Sequence, residues 1–206
     1  MSKQRARFVG SISIAALSFT LQLAMAAGNP IEFSAAVQNF ASEGVTYHRL
    51  IFKDGKRVIY YQPPTGWKCN VIADQLTLVP SDRPFAEGRI SCSPLEKPVA
   101  LDDRAAAAFK DQVLASLPAG SQHAAIVKQE QNVLLINNNP TTEVIVSYDA
   151  FGQSFQRSVL LLNTPANQVQ FQFTARKTDF DLLFRAFRGS VLSWEWQPEP
   201  DQAAAD

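Results

Sequence analysis

From Gln168 to Ala175 apolar and polar side chains alternate without a fault: Val169, Phe171 and Phe173 fall on one side, Gln168, Gln170, Gln172 and Thr174 on the other. Successive side chains of a strand point to opposite faces, so the run predicts a strand over 168–176 with one buried and one wet face. Val45–Phe52 and Arg57–Gln62 flank Lys53-Asp54-Gly55-Lys56, and Asp-Gly between two β-prone runs predicts a hairpin, because glycine tolerates the positive φ of the turn. Pro63-Pro64-Thr65-Gly66 stops that strand and Trp67 opens another. Strands are predicted at 67–72, 75–79 and 88–93, and after a helix at 125–129, 133–136, 143–150 and 155–162.

Helical spacing recurs in three places. Ala106, Phe109, Val113 and Leu117 form a stripe that predicts a helix over 103–117, capped by Asp102 and ended by Pro118-Ala119-Gly120. Phe180, Leu183, Phe184, Phe187 and Val191 predict a closing helix that starts at Thr178 or Asp179, with Thr178 and Asp181 at capping-box spacing. Asp181, Arg185 and Arg188 are expected to face water. Burial of each large side chain is worth about 1.5–3 kcal/mol, so this helix belongs to the core. Phe33, Val37 and Phe40, at i, i+4 and i+7, predict a short helix over 34–42. The sum is an α+β fold of hairpin-linked strands and amphipathic helices.

The amino terminus changes the setting. Lys3, Arg5 and Arg7 precede an apolar stretch from Phe8 to Leu23, and Ala24-Met25-Ala26 supplies a small-x-small cleavage pattern. An anchor helix needs about 20 apolar residues, and Ser11, Ser13, Ser18, Thr20 and Gln22 interrupt this stretch. Residues 1–26 are therefore read as a signal peptide, 27–198 as a single α+β domain and 199–206 as a flexible tail. The expected location is periplasmic or secreted, with no membrane insertion after signal cleavage.

Composition then removes partners. The 206 residues carry 19 basic and 19 acidic side chains, and loss of the three basic residues of the leader leaves a net charge of −3. That argues against nucleic acid, which demands a clustered positive surface. Hydrophobic content of 46% with 14 phenylalanines is that of a packed globular protein.

Cys69 and Cys92 lie in phase with apolar neighbours. If the strand around Leu76–Val79 runs between theirs, their Cα atoms stand about 9–10 Å apart, beyond the reach of about 7 Å that a disulfide allows. Two buried free thiols are the favoured reading over a disulfide, and a thiol enzyme comes last.

The Tyr-Gln-Pro-Pro-Thr-Gly-Trp segment at 61–67, and Phe171–Trp194 with its Asp179-Phe180 start and Ser190-Val191-Leu192-Ser193-Trp194 finish, resemble the PsbP-like superfamily, which includes the bacterial DcrB-like proteins. The likeness covers residues 45–196. It implies an α+β fold in which a largely antiparallel sheet is covered by helices, an α/β/α sandwich, and a role in protein binding or assembly outside the cytoplasm, with no shared catalytic set. The hairpin around Asp54-Gly55 departs from the family pattern, and metal binding reported for some relatives has no matching acidic or histidine cluster here.

Candidate chemistry is sparse. His48 shares a strand face with Leu50 and Phe52 and is read as structural; His123 is read as a loop residue. No Gly-x-Ser-x-Gly elbow, His-Glu-x-x-His or phosphate loop is present. Asp102-Asp103 and Asp179/Asp181 begin predicted helices, where carboxylates cap. Asn137-Asn138-Asn139-Pro140 is turn chemistry. Trp194 and Trp196 either seal the sheet end or leave one ring exposed as an anchor.

The expectation is a non-enzymatic exported module that binds another extracytoplasmic protein through Gln168, Gln170, Gln172, Thr174 and Trp196, with no cofactor and no metal. The alternative is a small-ligand carrier with an apolar pocket between sheet and helices, lined by Phe180, Phe184 and Phe187. An envelope enzyme would require His48 or His123 in a cleft beside a carboxylate or hydroxyl.

Overall fold

The computed structural model describes residues 31–42, 45–72 and 74–198. The expected signal peptide and the expected tail at 199–206 lie outside the described residues. The elements run β1 (Glu32–Ser42), β2 (Val45–Asp54), β3 (Arg57–Tyr61), β4 (Trp67–Ile72), β5 (Gln75–Pro80), β6 (Glu87–Pro94), α1 (Asp103–Ala115), β7 (Gln122–Ile136), β8 (Asn139–Ala150), β9 (Gln153–Asn163), β10 (Asn167–Arg176), α2 (Lys177–Val191) and β11 (Glu195–Pro198).

The strands form two antiparallel sheets. One has seven strands in the order β4-β5-β6-β10-β9-β8-β7; the other has four, in the order β1-β2-β3-β11. The Asp54-Gly55 hairpin sits where turn chemistry predicts it, with Gly55 at φ +61°, and Gly152, at φ +72°, turns the hairpin between β8 and β9. The crossover from β6 through α1 to β7 lets β10 return beside β6, so that Val169 faces Cys92 and Gln172 faces Arg89 across the ladder.

Strand pairing fixes which side chains share a face. Residues directly opposite one another in an antiparallel pair lie on the same side. Val169, Phe171, Phe173 and Ala175 are fully buried in the main core with Leu160 and Leu162 of β9, the apolar stripe of α2, and Phe33, Leu50, Phe52, Ile59 and Tyr61 of the smaller sheet. On the opposite face, α1 lies over β7 and β8. Its Phe109 and Val113 pack on Val144 and Val146 of β8 and on Val159 and Leu161 of β9. Val159 and Leu161 oppose Gln172 and Gln170, so the glutamines of β10 lie on the α1 side of the sheet, beyond the strands that α1 contacts.

Four expectations are corrected. Residues 34–42 form part of a strand: Ile31 and Phe33 are buried while Glu32 and Ser34 are exposed, a period of two, and Val37 is 65% exposed. Pairing with β2 supplies the backbone hydrogen bonds that three apolar residues at helical spacing could not outweigh. The capping box at Thr178 and Asp181 does not form. Helix α2 starts at Lys177, directly after β10, with Arg176 at the cap position and no side-chain cap. Arg188 does not simply face water, because its Nη1 stands 3.6 Å from Oε2 of the buried Glu143. Finally, the cover over the main core is not made by helices alone. The four-stranded sheet, closed by the unforeseen β11 on β3, contributes much of it.

Helix α1 follows expectation closely. Asp102 Oδ1 accepts a hydrogen bond from the Ala105 amide at 2.8 Å, and Ala106, Phe109 and Val113 are its buried residues. β5 separates the strands of Cys69 and Cys92, and both are free thiols. Burial pushes each thiol up to about 11, away from the thiolate that nucleophilic chemistry requires.

Candidate functional site

An open polar trough

The open half of the seven-stranded sheet is a trough floored by polar residues of β5, β6 and β10. Gln168, Gln170, Gln172 and Thr174 project from β10 at every second position and are half-buried. β6 places Ser93, Ser91, Arg89 and Glu87 opposite them in register. The trough is bounded on the β9 side by α1 and its exit.

Arg157 is the buried charge of this face. It is 8% exposed and lies in phase with Phe155 and Val159 on β9, opposite Thr174. Its Nε donates to Thr174 Oγ1 at 3.0 Å and its Nη1 to the Ser116 carbonyl at 2.9 Å. Ser116 is the C-cap of α1, whose last turn has no basic residue of its own. Arg157 therefore supplies, from a neighbouring strand, the cation that a helix carboxyl end favours. Its Cζ is 5.6 Å from the Tyr148 ring centre, and burial raises the pKa of that tyrosine against the opposing pull of Arg157. Among the described residues no carboxylate lies within 4.0 Å of the guanidinium.

Two cavities adjoin at this arginine. One, of about 270 Å³, is lined by Gln75, Arg89, Ser91, Ser116, Arg157, Gln170 and Gln172. The other, of about 340 Å³, shares Arg89, Arg157 and Gln172 and continues over Thr174 toward Tyr148, Phe155, Phe85 and Phe151. Phe85 and Phe151 are 52% and 87% exposed, and the Arg176 guanidinium sits 3.8 Å from the Phe85 ring centre. The trough thus has a polar compartment without acids and an aromatic one whose single acid, Glu87, is paired with Arg89.

Residues outside the trough

Trp196 is not in this site. It lies on β11 in the smaller sheet, half-buried, with its ring edge-on to the fully buried Trp194 at 5.8 Å. Its Nε1 donates to Asp54 Oδ2 at 2.9 Å. Asp54, 6% exposed, also accepts from Arg57 Nη2 at 2.5 Å and from Asn167 Nδ2 at 3.2 Å. This carboxylate ties the hairpin, β10 and β11 together, so both tryptophans seal the sheet end.

The phenylalanines proposed to line a carrier pocket are packed instead. Phe180 and Phe187 are buried, and Phe180, Phe184 and Phe187 stand 5.6, 6.1 and 5.4 Å from the Phe173 ring. An apolar cavity of about 340 Å³ lies elsewhere, between Val37, His48 and Leu50 and the segment from Gln62 to Trp67, with Cys69 at its base.

Each histidine has a polar partner. His48 Nδ1 donates to Asn39 Oδ1 at 2.5 Å. His123 Nδ1 donates to Asp149 Oδ2 at 2.8 Å, and Asp149 Oδ1 accepts from Ser154 Oγ at 2.6 Å. These two bonds hold the Asp149 carboxyl below its ordinary pKa, Ser154 contributing most. A carboxylate, a hydroxyl and an imidazole do meet here, at the rim of a cavity of about 410 Å³ that Asp149 and Ser154 help to line. The order of the bonds is wrong for a nucleophile, since the serine proton is directed to the carboxylate and the imidazole has no hydrogen bond to the hydroxyl. No group of three or more His, Cys, Asp or Glu placed to hold a metal ion occurs among the described residues, and no described helix is long and apolar enough to cross a membrane.

Sequence reasoning places Gln168, Gln170, Gln172 and Thr174 on one face of a strand, as the structure does, and does not foresee the buried Arg157 beside them. The available signal was its phase: an arginine between Phe155 and Val159 on the inward side of a strand.

Likeness to known proteins

No protein-family model matches the chain, and no curated protein does. Solved structures do resemble it. The solution structure of cyanobacterial PsbP (CyanoP) from Synechocystis sp. PCC 6803 is similar at 11% identity and a TM-score of 0.48, covering 80% of this chain and 93% of that one. LpqN, involved in cell envelope biogenesis of Mycobacterium tuberculosis, is similar at 13% identity and a TM-score of 0.49, covering 81% and 92%. PA94 from Pseudomonas aeruginosa, a protein of unknown function described as a putative regulator, is similar at 11% identity and a TM-score of 0.47, covering 79% and 98%.

Proposed function

We propose that this is an exported, non-enzymatic binding module that receives another extracytoplasmic protein in the trough on the open half of its larger sheet. One observation carries the reading: β10, whose Val169, Phe171, Phe173 and Ala175 are fully committed to the core, leaves Gln168, Gln170, Gln172 and Thr174 in a trough rather than under a helix. Half-buried amides at every second position, with aromatic side chains at one end, supply the polar and apolar contacts of a protein interface. Export is supported by the basic, apolar and small-residue order of Met1 to Ala27.

The test is affinity capture of the processed protein in extracytoplasmic extract of its source, beside a Gln170→Arg/Gln172→Arg variant. A stoichiometric protein captured by the first and lost by the second is expected. Equal capture by both, or no protein at all, overturns the reading. A second reading, a carrier of a small apolar ligand, is favoured by the cavity between Leu50, Pro64 and Trp67. A compound retained in native mass spectra and lost on Leu50→Trp substitution would support it.

A further inference from the structure

We propose that the compartment between Arg89 and Arg157 is a carboxylate pocket, which seats an acidic side chain from an extended segment of the partner protein. The inference rests on the reading of the trough as the binding face and adds the chemistry of what enters it.

Charge is the first argument. A guanidinium that is more than nine-tenths buried normally has a carboxylate against it, since an uncompensated buried charge is costly. Arg157 is held by neutral groups, the Thr174 hydroxyl, the Tyr148 side chain and the carbonyl and hydroxyl of Ser116, and the carboxyl end of α1 offsets its charge only in part. The cavity of about 270 Å³ beside Arg157 adds three glutamine amides, the Ser91 hydroxyl and Arg89, whose Nε is paired with Glu87; no acid lines the cavity itself. The N–H groups that remain on Arg157 and Arg89, beside a space lined otherwise by neutral hydrogen-bonding groups, match a carboxylate, which accepts charge-assisted hydrogen bonds from guanidinium.

Shape is the second argument, and it selects a chain over a free ion. The trough does not end at the arginines. It continues past Gln172 and Thr174 to Tyr148, Phe155 and the exposed Phe85. Same-face positions along β10 repeat about every 6.6–6.8 Å, the spacing of alternate residues in an extended peptide. An acidic residue over Arg157 therefore places an aromatic or apolar neighbour two residues away over Tyr148 and Phe155.

The experiment follows the Arg Nε–H and Gln Nε2–H resonances of the isotopically labelled full protein during titration with a capped Phe-Ser-Glu peptide. The capped Phe-Ser-Gln peptide, sodium acetate and inorganic phosphate are titrated alongside. The acidic peptide is expected to move the Arg157, Arg89 and Gln172 signals saturably, and the neutral peptide to bind at least about tenfold more weakly, the loss of a charged hydrogen bond. Arg89→Gln, at a half-exposed position, is expected to weaken the acidic peptide by a similar factor with the fold intact; Arg157→Lys is the companion variant.

No movement of the arginine signals, or equal affinity for both peptides, overturns the pocket. Acetate or phosphate binding as tightly as the peptide overturns the extended-segment part. Retained partner capture by Arg89→Gln and Arg157→Lys, with capture lost in Gln170→Arg/Gln172→Arg, overturns the pocket and leaves the trough. Peptide binding without any trough-dependent partner does the reverse.

Discussion

A Cβ atom placed on Gly88 would stand 2.7 Å from Cε2 and 2.9 Å from Cδ2 of Phe187. The ring of Phe187 thus lies directly on the backbone of β6, stacked against Phe173 at 5.4 Å and Trp67 at 6.5 Å. Glycine is required here for closeness rather than for an unusual φ, and α2 docks on the sheet through that contact. Gly88→Ala is expected to destabilise the protein by about 1–3 kcal/mol, the usual cost of overpacking. Urea unfolding checks this, with Phe187→Leu in the Gly88→Ala background recovering part of the loss. A neutral Gly88→Ala would mean that the ring does not rest there.

The Asp54 carboxylate joins three elements that are distant in sequence. Removing the buried carboxylate leaves the Asn167 and Trp196 donors unpaired, while Arg57, 44% exposed, turns to solvent. Asp54→Ala is expected to cost about 1–3 kcal/mol for each donor left unpaired, and Trp196→Phe, which deletes one donor to a charged acceptor, about 1.5–3 kcal/mol. Denaturant unfolding measures both. Because Trp196 lies away from the trough, Trp196→Phe should also leave partner capture unchanged.

The two thiols provide a pH signature. Burial holds Cys69 and Cys92 up to about 11 against an ordinary value of 9.0. At pH 8 about one molecule in a thousand carries a thiolate at either site, so iodoacetamide should label the native protein slowly and the unfolded protein fast. In an acid raised on folding, the folded state keeps its proton longer. The stability these thiols contribute is full below pH 9 and is lost as pH rises through about 11. Cys69→Ala/Cys92→Ala should flatten that part of the stability profile relative to the parent. Cys69 and Cys92 are half-buried, and labelling of the native protein at pH 8 as fast as of the unfolded protein would contradict the raised thiols.

Much of this arrangement was legible along the chain, and the failures share a cause. β10, the Asp54-Gly55 hairpin and both helices announce themselves through local periodicity and turn residues, which are properties of a few consecutive side chains. β1 escapes a local reading because Phe33, Val37 and Phe40 meet a helical template by spacing alone, while its partner strand β2 decides the outcome. β11 is four residues long and pairs with β3, more than 130 positions earlier, so no local pattern reports it. The same limit hid the site. The β10 glutamines could be read as one wet face, but the conjunction of Arg157 with the end of α1 and with Arg89 depends on the order β6-β10-β9, which is set by the crossover. Trp196 was grouped with them on ring exposure, and the Asp54 carboxylate accounts for its real position.

Site-specific photo-cross-linking tests the binding face most directly. A benzoylphenylalanine replaces Gln170 or Gln172 in the trough, or Leu182, 64% exposed on the outer side of α2, and the protein is irradiated in the extracytoplasmic compartment of its source. Adducts of one defined mass from positions 170 and 172, with none from 182, are the predicted result. Adducts from 182 with none from the trough would contradict it.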